Sequence, residues 1–263
     1  MRKIIIYAGY FVGFLIVAII GLLLYVKLAL PNVGVAEDLK IDYTQERIER
    51  GKYLANSVAV CMDCHSKRDW SKFSGPITSG TVGMGGDRFD QTVGMPGVFI
   101  AKNITPSGIG RYTDGELYRL ITTGVTKEGR AMFPLMPYPY YGKMDPEDIY
   151  SIISYIRSIP DIKNDVTDSQ ADFPMNFIIN TIPQKAQSQK RPDKSDLLAY
   201  GAYMTNASGI HCPWHNAVKF SYSNCWGLIG RICIGFKALH KCFLTPLANS
   251  CFCIGRDIRR SYS

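Results

Sequence analysis

From Ile4 to Val26 the chain carries no charged residue. About 20 consecutive apolar residues suffice to cross a hydrocarbon core, so this run cannot be shared with the interior of a water-soluble domain. It divides the chain before any other feature is considered. A secretory leader is the competing reading. Its apolar stretch would be shorter and would end in a small-residue cleavage site, and Leu28-Ala29-Leu30-Pro31 is a poor one. Residues 1–30 are therefore expected to form a transmembrane anchor. Arg2 and Lys3 precede the run, and the tendency of basic residues to stay on the cytoplasmic side places everything after Lys27 on the other face.

The charge of +8 is distributed unevenly. From Asn206 onward there are seven Lys or Arg and one acid, Asp257, so this stretch supplies +6 and leaves +2 for the rest. The basicity thus belongs to the C-terminal end and says little about the main domain, for which no nucleic-acid partner is expected. The cysteines are just as uneven. Six of eight, Cys212, Cys225, Cys233, Cys242, Cys251 and Cys253, lie near the C-terminus. The other two, Cys61 and Cys64, stand alone in the main domain.

A linker over 31–41 leads into a first folded domain, expected over 42–160. Thr44 is a plausible N-cap with Glu46 in the first turn, which predicts a helix to about Val58. Ser66 to Arg111 is rich in Gly, Pro, Ser and Thr and reads as a long ordered loop with little regular structure, of the kind that wraps around something. Thr113-Asp114-Gly115-Glu116 is a capping box, and Gly124 closes the helix it opens. Asp145-Pro146 opens another, with Ile149, Ile152, Ile153 and Ile156 on one face and Pro160 as its stop. Between them Pro134-Leu135-Met136-Pro137-Tyr138 is an apolar loop. Residues 161–195 read as a connection, and 196–263 as a second segment.

Cys61-Met62-Asp63-Cys64-His65 carries the chemistry. It has the CxxCH spacing of covalent haem attachment. Two thiols two residues apart reach the two vinyl groups on one edge of a porphyrin, and the adjacent imidazole faces the iron. The next histidine is His211, so a methionine is the natural second ligand. Met84, Met95, Met132, Met136 and Met144 are all available. A zinc site from Cys61, Cys64, Cys212 and His215 would join halves about 150 residues apart, beyond the usual spacing of such modules. A plain Cys61–Cys64 redox pair lacks the βαβ setting expected for one. The chain shows no phosphate-binding glycine motif, nucleophile elbow or paired catalytic carboxylates.

Residues from about Asp42 to Ile159 resemble a class I cytochrome c domain of membrane-anchored bacterial dihaem cytochromes. The resemblance is carried by Glu49-Arg-Gly-Lys-Tyr-Leu-Ala, CMDCH, Asn103-Ile-Thr-Pro, Gly108-Ile-Gly110, Tyr112-Thr-Asp-Gly-Glu, Met136-Pro-Tyr and the Ile-rich final helix. It implies a mainly α fold, one covalent haem c on Cys61 and Cys64, and iron ligation by His65 and Met136. It also implies an electron-transfer role at the periplasmic face of the inner membrane, with redox proteins and the membrane as partners and no small-molecule substrate. The alternatives are the electron-accepting cytochrome subunit of a periplasmic dehydrogenase, or a haem peroxidase, which needs an open iron site.

The second segment departs from that pattern. Gly201-Ala-Tyr-Met-Thr-Asn206 repeats Gly51-Lys-Tyr-Leu-Ala-Asn56, yet the following Gly209-Ile-His-Cys-Pro-Trp-His215 cannot supply two thioethers in either register. An incomplete or aberrant second cytochrome c-like domain is expected there, through a frameshift or through divergence. Resequencing the coding region separates these origins, and an unchanged reading frame rejects the frameshift.

Overall fold

The computed structural model describes residues 2–207, and the second segment beyond Ala207, with its six cysteines, lies outside them. Helix α1, Arg2–Leu28, is about 40 Å long at 1.5 Å per residue. It is long and apolar enough to cross a membrane, and none of it is buried inside the molecule.

The helices of the main domain start where the sequence predicts. In α2, Gln45–Tyr53, the Thr44 hydroxyl accepts from the Arg47 amide at 3.3 Å. The expected single helix then widens into a π turn over Leu54–Val58. One-turn helix α3 is Cys61–His65. The long loop is less irregular than expected. It holds strand β1, Arg88–Phe89, a 3-10 turn over Gln91–Val93, strand β2, Gly97–Ile100, and short helix α4, Pro106–Ile109. Strands this short leave too little alternation to be read from sequence.

Helix α5, Asp114–Thr123, opens with both halves of the capping box in place and ends at Gly124 in the left-handed conformation. Short helix α6, Tyr138–Tyr141, follows the Pro134–Pro137 loop. Helix α7, Pro146–Ser158, is capped by Asp145, and its isoleucine stripe is buried, Ile149 and Ile153 completely. These isoleucines join Leu54, Ala55, Met62, Leu117, Ile121 and Met144 in one core.

Residues 161–195 run along the domain. Strand β3, Gln170–Ala171, pairs antiparallel with the far side of β2 from β1, giving the order β1-β2-β3. Helix α8, Met175–Ile178, and a 3-10 turn over Ile179–Thr181 come next. Helix α9 is Leu197–Ala207, where the repeated Gly201-to-Asn206 segment sits.

Helices α2 and α7 cross at Gly51. A Cβ there would lie 1.8 Å from the Ser151 carbonyl oxygen and 2.8 Å from the Tyr155 Cβ. Both helices would have to move apart, and overpacking of this kind costs typically 1–3 kcal/mol. Gly51→Ala is expected to destabilise by about 3 kcal/mol, read as a lowered denaturant midpoint.

Candidate haem site

Three backbone features deliver α3. The π turn brings the Ala59 amide onto the Leu54 carbonyl at 2.7 Å. Val60 then adopts φ 46°, ψ 36°, a left-handed conformation that costs a β-branched residue about 1–3 kcal/mol. This reversal starts α3 at Cys61. Behind it, the Tyr141 hydroxyl donates to the Ala59 carbonyl at 2.7 Å.

The two cysteines are free thiols and half-buried. Three residues apart on a helical turn, they share a face. Burial, then the neighbouring Cys64, pushes the Cys61 thiol up to about 12, and burial with Asp63 pushes Cys64 up to about 11. Among the described residues no group of three or more His, Cys, Asp or Glu side chains is placed to hold a metal ion.

His65 is set up differently. Its Nδ1 lies 2.6 Å from the Lys102 carbonyl oxygen, which only accepts, so Nδ1 carries the proton and donates. Burial lowers the His65 pKa, favouring the neutral ring. The lone pair is then on Nε2, as an iron ligand requires, and the carbonyl fixes the ring plane. This donor set suits haem c: two protonated thiols on one face and one neutral imidazole of defined tautomer.

Lys102 is itself held in place. Its Nζ donates to the Val166 carbonyl at 3.1 Å, the Thr167 carbonyl at 2.9 Å and the Asp168 carboxylate at 2.7 Å. Next door, Asn103 Nδ2 donates to the Ile162 carbonyl at 2.7 Å. The stretch after α7 therefore clamps the residue that orients His65. The glycine-rich loop closes from the other side. The Gly85 amide donates to the His65 carbonyl at 2.8 Å, and the Gly83 amide to the buried Ser66 hydroxyl at 3.0 Å. Gly85 has φ +71°, and a Cβ there would lie 2.5 Å from the Lys102 backbone. Sequence reasoning missed Lys102 because its contribution is a backbone carbonyl, which leaves no residue-type signal.

The methionines separate by environment. Met144 and Met62 are completely buried in the core and Met95 is buried too, the ordinary filler role. Met84, Met132 and Met136 are half-buried. Met136 packs against the same core cluster that Cys61 flanks. Its loop is pinned by Tyr138, which is fully buried, with its amide on the Met136 carbonyl at 2.8 Å and its hydroxyl donating to the Met132 carbonyl at 3.2 Å.

Three tyrosines give the domain an alkaline limit. Burial, then the hydroxyl's bond to Asp114, pushes Tyr43 up to about 12. Burial raises Tyr138 and Tyr203 further. In the unfolded chain all three ionise near 10. Their stabilisation is complete below that pH and is lost as pH rises through the folded values. The denaturant midpoint is expected to be level up to about pH 9 and to fall above about pH 10, in step with tyrosinate absorbance.

No family model matches the chain. It is similar to the gluconate 2-dehydrogenase cytochrome c subunit of Pantoea cypripedii, 27% identical over 176 residues, covering 63% of this chain and 36% of that protein. The fructose dehydrogenase cytochrome subunit of Gluconobacter japonicus is 32% identical over 114 residues, 42% of this chain and 21% of that one. A dihaem c-type cytochrome of Cereibacter sphaeroides is 28% identical over 121 residues, 44% of this chain and 38% of that one. The matched stretch thus spans well under half of each of these relatives. The relatives agree in being cytochromes, and what this chain is similar to are c-type cytochromes, proteins that hold haem c covalently.

Proposed function

We propose that this chain is the electron-accepting cytochrome subunit of a dehydrogenase, passing single electrons onward through one haem c held by Cys61, Cys64, His65 and Met136. The observation that carries the reading is its similarity to cytochrome subunits of gluconate and fructose dehydrogenases. When bound, haem c supplies a one-electron ferric/ferrous couple. The chain's own residues bind and tune it. Cys61 and Cys64 would hold the haem covalently as thioethers. His65 would offer its Nε2 lone pair to the iron while Nδ1 keeps its proton on the Lys102 carbonyl. Met136 would supply its thioether sulfur as the second ligand, which raises the potential relative to a second histidine. Substrate oxidation belongs to the partner. With α1 in the inner membrane and Arg2 and Lys3 inside, the haem domain faces the periplasm.

The similarity to a dihaem cytochrome supports a second reading, a free-standing electron carrier. Tagged full-length chain, purified from host membranes in mild detergent, separates the two. As a subunit it co-purifies with a dehydrogenase in fixed ratio, and its haem is reduced on adding that enzyme's substrate. As a carrier it purifies alone.

Met136→Ala is expected to abolish the Met-to-ferric-iron charge-transfer band, lower the potential and let cyanide bind. Met144→Leu, a volume-conserving change in the core costing under about 1.5 kcal/mol, keeps the band. Loss of the band in the Met144 variant alone would move the ligand to that residue. Slow cyanide binding by the unaltered protein would argue against a peroxidase, and fast binding would favour one.

A further inference from the structure

Between Phe173 and Gln184 the chain reads Phe-Pro-Met-Asn-Phe-Ile-Ile-Asn-Thr-Ile-Pro-Gln, with no charge in a protein that is 20% charged. This is the α8 segment, and no residue from Phe173 to Ile178 is buried. Phe173 is 78% exposed and Ile178 44%. The Phe173 and Phe177 rings meet edge to face at 6.2 Å. A water-facing segment of this composition is unfavourable unless something apolar covers it.

Its neighbour identifies the cover. Helix α8 and the 3-10 turn after it pack against α1. From Lys3 to Leu28 every side chain of α1 is exposed except Val26, so the contact falls at the C-terminal end of α1. A helix of about 40 Å centred on a core of about 30 Å puts Val26 at headgroup level. There aromatic rings and apolar side chains settle at the headgroup–acyl boundary. Lys27 follows Val26 directly and Lys185 follows the uncharged segment directly; both are exposed, and each lysine near an anionic surface is worth about 1 kcal/mol.

We infer that Phe173–Ile178 is a second membrane contact, seated in the headgroup region of an anionic bilayer beside α1. The inference rests on reading α1 as membrane-spanning. The segment is fastened to the haem domain just before Phe173: the Asp172 amide donates to the Pro96 carbonyl at 3.0 Å, and the Asp172 carboxylate accepts from Gln91 at 2.8 Å. Strand β3 continues that attachment into β2, two residues before Lys102. One tether alone lets the domain swing. A second contact fixes which face looks at the bilayer and how high His65 stands above it.

The test uses full-length, haem-loaded chain in vesicles of phosphatidylcholine with phosphatidylserine. The lipids carry a diazirine near the glycerol end of the acyl chain, and adducts are mapped by mass spectrometry. Adducts are expected both on α1 and on the peptide holding residues 173–178. In Phe173→Glu/Ile178→Glu the second set falls about fivefold or more, while α1 adducts and the haem spectrum are unchanged. Phe173→Leu keeps both sets. Adducts on α1 alone in the unaltered protein overturn the second contact and leave the anchor standing. Adducts on neither overturn the anchor and this inference with it. Vesicles of phosphatidylcholine alone should reduce labelling of 173–178, and unchanged labelling removes the lysines from the contact.

Discussion

Replacing Cys61 and Cys64 together by alanine is expected to take the protein from about one covalent haem per chain to none detectable. The measurement is the reduced pyridine-complex spectrum with haem staining on a denaturing gel. The size of the effect follows from the chemistry: with both thiols gone no thioether can form, and a denaturing gel removes anything held by packing and ligation alone. Each single alanine variant keeps one thiol on α3 and should retain a singly attached haem at reduced yield. Cys212→Ala is the informative control. In the sequence that cysteine belongs to a degenerate second motif, so its loss should leave the stoichiometry at one. Absence of covalent haem from the unaltered chain would instead favour the metal site of Cys61, Cys64, Cys212 and His215.

What sequence revealed and what it hid divides along one physical line. Thr44, Thr113 with Glu116, and Asp145 with Pro146 act within a turn of their own position. Their caps are accordingly found where residue type alone places them. The Ile149-to-Ile156 stripe is legible because helical periodicity is local. Long-range contacts of the backbone leave no such trace. Lys102 reaches His65 through a carbonyl 37 positions away. The clamp on Lys102 uses the carbonyls of Val166 and Thr167, which any residue could offer. Residues 161–195 therefore read as a connection by composition. The strained Val60 is equally silent, since nothing about a valine announces a left-handed backbone. Among the five methionines the sequence offers, Met95 and Met144 are buried and Met84, Met132 and Met136 are half-buried.

Asp148→Ala is expected to cost about 3–5 kcal/mol, a large share of the 5–15 kcal/mol of a typical domain. The carboxylate is fully buried. Its Oδ1 accepts from Arg50 Nε at 3.0 Å and its Oδ2 from Arg50 Nη2 at 3.0 Å, a two-pronged pair. Arg191 donates to Oδ1 as well, and the Tyr203 hydroxyl donates to Oδ2 at 2.8 Å. One side chain of α7 thus gathers α2, the stretch before α9, and α9 itself. Removing it leaves two guanidinium groups and a hydroxyl without their acceptor, and breaking one side of a buried pair costs far more than the pair contributes. Arg191→Ala should cost only about 1 kcal/mol, because that side chain is a third exposed and Arg50 still neutralises Asp148. Denaturant midpoints of the haem-loaded chain give both values. The network also makes a claim about place. With Asp148 gone, limited proteolysis should cut first between Lys190 and Tyr203, before the haem-bearing turn is released. Simultaneous loss of haem absorbance and of that segment would show instead that Asp148 supports the whole domain as one unit.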